Sequence, residues 1–156
     1  MFTLLLALAL PAHALTKADL DAYQAELAPL LASNTALGKQ FLDVASQVKQ
    51  GKLDGAGVAG RFAADALPVA QDLATKVAAV RPADPQLAEA HTLLVKAWTD
   101  RAAVYADIDK AWKAKDTAAL AAAKARQQSA HDGEEAWLGA VNTLGSADGV
   151  SFDLYP

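Results

Sequence analysis

From Thr16 to about Gln50, apolar residues recur at Leu20, Tyr23, Leu27, Leu30, Leu37, Phe41, Val44 and Val48. Steps of three and four place them on one side of a helix, so the stretch predicts one long helix or two collinear pieces. Thr16-Lys17-Ala18-Asp19 has the spacing of an N-terminal cap, in which hydroxyl and carboxylate satisfy the first free N–H groups. Pro29 predicts a kink, because it lacks an N–H and crowds the carbonyl four residues back. Asn34 and Gly38 weaken the helix beyond the proline, and the pattern allows a break near residues 33–36.

Gly51-Lys52-Leu53-Asp54-Gly55-Ala56-Gly57 reads as a turn, after which Val58, Phe62, Ala66, Val69, Leu73, Val77 and Val80 repeat at helical spacing. Pro68 lies inside this second helix and predicts another kink. Arg81-Pro82-Ala83 ends it, and Asp84-Pro85 supplies a cap acid with proline at the first helical position. The third helix extends to about Lys115 with the most regular stripe of the chain: Leu87, His91, Leu94, Trp98, Arg101, Tyr105, Ile108 and Trp112. Lys113 and Lys115 suit its C-terminal end, and Asp116 can cap the next helix. So short a connection forces the fourth helix to fold back, carrying Leu120, Ala123, Gln127, Ala130, Glu134, Trp137, Val141 and Leu144 up to Gly145. The expected architecture over residues 15–145 is an all-α, antiparallel up-down-up-down four-helix bundle with kinked first and second helices. Residues 146–156 form a tail with Phe152, Leu154 and Tyr155, and Trp98, Trp112 and Trp137 are expected to hold most of the core.

Composition strengthens the helical reading. Of 156 residues 53% are hydrophobic, 39 are alanine and only 15 are glycine or proline, which fits one globular domain with closely approaching helices. The formal charge of −4, with 14 basic residues spread along the chain, offers no footprint for nucleic acid or an anionic membrane. With no cysteine, disulfides, thiolate nucleophiles, zinc fingers and covalent haem attachment are excluded.

Leu4 to Leu10 form an apolar run, Pro11 breaks it, and Ala12-His13-Ala14 is a small-x-small cleavage signature. Residues 1–14 are therefore expected to be a signal peptide cleaved after Ala14, although Met1-Phe2-Thr3 lacks the usual positive charge. The run is much shorter than the roughly 20 apolar residues a spanning helix needs, so no stable membrane anchor is expected. The mature chain is expected in the periplasm or outside the cell.

Pro85, Leu87 and His91 opening the third helix, with Asp116 in the short turn before the fourth, resemble exported or lipid-anchored bacterial four-helix domains of unknown function. The resemblance covers residues 16–145 and implies a bundle fold and an envelope location. The chain departs from the lipid-anchored kind in having no cysteine to acylate.

Catalytic and cofactor motifs are missing. The paired Glu-x-x-His motifs of di-metal bundles are absent, the nearest being His131-Asp132-Gly133-Glu134 in reversed order. Met1 is the sole methionine, so the mature chain has no Met/His haem ligation. Gly55, Gly57 and Gly60 match a dinucleotide fingerprint only literally, since they follow a helix. No cofactor is expected.

The unusual feature is polarity on the apolar seams: His91 and Arg101 in the third helix, Gln127 and Glu134 in the fourth, with His131 beside them. Buried charge is costly unless paired. Antiparallel packing about residue 116 lets Arg101 and Glu134 meet. Three readings stand: an internal ion pair or side chains turned to the bundle's edge, a polar pocket for a small anionic or polar ligand, or a transition-metal site built on His91 or His131 with Glu134 or Glu135. In functional terms these give a non-enzymatic binding or interaction protein of the cell envelope, with an unidentified protein or small molecule as partner. The alternative is a metal- or small-ligand-binding bundle whose site is His91, Arg101, Gln127, His131 and Glu134.

Overall fold

The computed structural model describes residues 14–156; of the expected leader, all but Ala14 lies outside the described residues. Helix α1 spans Lys17–Lys49 and starts with Thr16 and Asp19 capping each other's free N–H groups. It continues unbroken through Pro29 and through residues 33–36. The break allowed there does not occur because Asn34, the weak helix former, is buried and held by partners on other elements. After a turn, α2 (Gly55–Arg61), a π-helical turn (Phe62–Ala66) and α3 (Leu67–Val77) form the second segment. In the π turn the Leu67 N–H reaches the Phe62 carbonyl, five residues back. This wider register immediately precedes Pro68, which has no N–H to give and would crowd a normal turn.

Helix α4 spans Pro85–Ala114, capped by Asp84, and α5 spans Thr117–Gly145, capped by Asp116. Among the described residues there is no strand, and the helical segments pack as an all-α four-helix bundle. Cross-links define the directions. Arg101 pairs with Glu134 and Arg126 with Asp107, symmetrically about the α4–α5 turn, as antiparallel helices require. Tyr23 meets His91 and Asn34 meets Arg101 at nearly constant offset, so α1 and α4 run in the same direction. At Gly133 a Cβ would come within 3.1 Å of the Ala97 Cβ, so α4 and α5 are drawn together one residue before Glu134.

Trp98 and Trp137 are wholly enclosed, whereas Trp112 is only half-buried at the end of α4 against Gly55. The core therefore rests on two tryptophans rather than three, because the bundle thins toward its α4–α5 turn. The C-terminal tail completes it. Past Gly145 the chain doubles back through a 3₁₀ turn (Ser146–Asp148), and Val150, Phe152 and Leu154 enter the core. Gln24 donates to the Ser151 carbonyl, Asn34 to the Leu154 carbonyl, and Asn142 exchanges two hydrogen bonds with Phe152. The tail thus joins α1 to α5, and the Phe152 ring packs against Tyr23 and Trp137.

Candidate functional site

The polar residues of the seams divide into two groups. Arg101, Gln127, His131 and Glu134 border one cleft of about 590 Å³, shared by α1, α4, α5 and the tail. His91 does not join them. It occupies the same stripe of α4 ten residues earlier, roughly 15 Å away along the axis at 1.5 Å per residue, and belongs to a closed chain of hydrogen bonds.

In that chain His91 Nε2 lies 3.0 Å from the Val77 carbonyl and Nδ1 lies 2.8 Å from the Tyr23 hydroxyl. A carbonyl only accepts, so Nε2 carries the proton and the neutral ring takes the Tyr23 O–H at Nδ1. Tyr23 accepts in turn from Trp137 Nε1 at 3.1 Å. Burial pushes the Tyr23 hydroxyl far above its ordinary pKa and holds His91 below 6.5, with the Val77 bond opposing the latter. Every polar atom of this relay has a partner. It ties α1, α3, α4 and α5 together.

The cleft is different. Arg101 is 8% exposed, yet it uses only Nη1, which donates to Glu134 Oε1 at 2.6 Å and to Asn34 Oδ1 at 2.8 Å. Asn34 is oriented by its second bond, Nδ2 to the Leu154 carbonyl. Among the described residues no protein acceptor reaches Arg101 Nε or Nη2. The guanidinium lies over Trp98, its Cζ 5.3 Å from the ring centroid, and the Trp98 indole N–H also lacks a protein acceptor among the described residues. Glu134 Oε2 faces His131 Nδ1 at 3.6 Å, an ion pair when the half-exposed ring is protonated. Burial raises the Tyr105 hydroxyl to about 12, with Arg101 pulling the other way, and burial also raises Tyr155.

Arg101 and Glu134 offset each other, and Lys124 on the rim leaves the cleft with a surplus positive charge. Leu37, Phe41, Tyr105 and Tyr155 supply apolar walls. Among the described residues no group of three or more His, Cys, Asp or Glu side chains converges as metal ligands would. Asn34, Lys124 and Tyr155 were not among the polar seam residues read from the sequence. Asn34 did carry a signal: it fills the one gap in the α1 stripe, between Leu30 and Leu37, at three-four spacing. Tyr155 carried none, since an extended tail has no helical period.

Compared with known protein families, curated proteins and solved structures, the chain matches none.

Proposed function

We propose that this chain is an exported, non-enzymatic binding protein of the cell envelope that takes a small polar ligand in the Arg101 cleft. One observation carries the reading. A nine-tenths-buried guanidinium borders an open cleft and offers one nitrogen to the protein, leaving two without a protein acceptor among the described residues. A purely structural Arg–carboxylate pair favours the two-pronged arrangement, and unpaired buried donors cost about 1–3 kcal/mol or more when charged.

Binding rather than catalysis is supported by the lining. Among the described residues no serine, threonine or cysteine borders the cleft, and its one carboxylate, Glu134, is engaged by Arg101. Export is supported by the leader pattern and by the fold's first cap at Thr16, directly after the expected cleavage at Ala14. Leu15, the residue such cleavage would leave first, packs on the core. No helix among the described residues is long and apolar enough to cross a membrane.

A thermal-shift and NMR screen of the purified chain with anionic, neutral and cationic small molecules tests the cleft. Ligands that perturb Arg101, Gln127 and His131 resonances together support the reading; a screen in which no compound perturbs them overturns it. Intact mass of protein recovered from the periplasm or medium tests export, and a product that retains Met1 would count against it.

A further inference from the structure

We infer that the ligand of the Arg101 cleft is a monocarboxylate on an apolar or aromatic body, held through the Nε and Nη2 edge of the guanidinium; this rests on the reading of the cleft as a ligand site. The nitrogens already engaged decide which edge is left. Nη1 serves Asn34 and Glu134. The two nitrogens left over, Nε and Nη2, form one side of the planar guanidinium, and their parallel N–H bonds match the two oxygens of a carboxylate. Donors in surplus call for a ligand that only accepts.

Charge selects among acceptors. Glu134 sits 2.6 Å from the same guanidinium and cancels it, so Lys124 supplies the surplus positive charge. That balance suits a monoanion, whereas a phosphate dianion would be repelled by Glu134 at close range. The apolar walls, Leu37, Phe41, Tyr105 and Tyr155, match a hydrocarbon or aromatic body behind the carboxylate. Nε and Nη2 are shielded from solvent, so a ligand must displace part of the cover to reach them. Tyr155 borders the same cleft from the half-exposed tail, so it can move aside without any helix shifting.

Calorimetric titration of the purified chain with benzoate, hexanoate, inorganic phosphate, benzylamine and benzyl alcohol tests the inference. Benzoate or hexanoate is expected to bind, and Arg101→Lys, which keeps the charge but loses the fork, is expected to weaken binding about ten- to a hundredfold. Lys124→Gln is expected to weaken it about two- to fivefold and to flatten its salt dependence. If Arg101→Lys does not fold, Lys124→Gln combined with Tyr155→Ala carries the test, because both residues are on the rim and neither is buried. Carboxylate binding indifferent to these changes, or phosphate binding as tight as benzoate, overturns the assignment. Benzylamine or benzyl alcohol binding in its place, sensitive to the same substitutions, overturns the carboxylate class while leaving the cleft as a ligand site. Silence from every probe, together with an empty screen, removes both.

Discussion

Glu134 meets Arg101 through a single nitrogen. Its Oε1 lies 2.6 Å from Nη1, the nitrogen that Asn34 Oδ1 shares at 2.8 Å. One amino group therefore couples α1, α4 and α5, and through Asn34 Nδ2 and the Leu154 carbonyl it reaches the tail as well. The pair sets the register of the bundle and leaves the opposite edge of the guanidinium for other chemistry.

Breaking that pair from either side should be costly. Glu134→Leu strands a buried guanidinium and Arg101→Met a buried carboxylate, so each alone is expected to cost about 3–5 kcal/mol. The double variant should cost much less than the sum. Urea midpoints for the four proteins measure the coupling, and a coupling near zero would mean that water rather than Arg101 satisfies Glu134.

The tryptophans should differ. Trp98 is 0% exposed, and Trp98→Ala is expected to destabilise by about 3–5 kcal/mol. Trp112 is half-buried at the thin end of the bundle, and Trp112→Ala should cost about 1–2 kcal/mol. Chemical denaturation that ranked them equally would contradict the thinning of the core toward the α4–α5 turn.

The tail depends on a close approach at Gly145. A Cβ there would run into the Val150 carbonyl oxygen, and backbone cannot step aside as a flexible side chain can. Gly145→Ala is expected to cost about 1–3 kcal/mol, the range for overpacking. It should also raise amide exchange at Phe152 and Leu154 above that of the α4 core. Unchanged exchange in the tail would refute the dependence.

Stability should fall in mild acid through His91. Burial holds its folded pKa below 6.5, so between that lowered value and 6.5 the unfolded chain binds more protons than the folded one. Stability is full above 6.5 and declines as pH drops toward the folded pKa. Urea unfolding at about pH 7.5 and about pH 5.5 should show a larger loss for the parent than for His91→Gln, which has no imidazole to protonate. Equal losses would assign the pH dependence to other groups.

Lys115 ends α4 with φ +54°, a left-handed conformation that costs a side-chain-bearing residue about 1–2 kcal/mol. Lys115→Gly should therefore stabilise the chain by about 0.5–1 kcal/mol, net of the greater unfolded-state entropy of glycine. A lower melting temperature for the variant would show that Lys115 makes a compensating contact.

The helices were legible because their information is local. The stripe from Leu87 to Trp112, the caps at Thr16, Asp84 and Asp116, and the brevity of the α4–α5 turn are repeats and spacings within a few residues. An antiparallel turn at Asp116 is also enough to bring Arg101 level with Glu134. Other features needed the assembled fold. Pro68 signalled a disturbance, but not that a π turn would absorb it ahead of the proline. His91 and Arg101 look alike on the stripe, and only packing decides that one closes a satisfied relay with Tyr23 while the other borders a cleft. Asn34 looked like a weak point in a helix until Arg101 and Leu154, 67 and 120 residues away, turned it into a junction. Tail residues without periodicity carry no record of where they dock. That choice is made by shape and by unpaired backbone carbonyls meeting Gln24, Asn34 and Asn142, partners that become neighbours only once the bundle has formed.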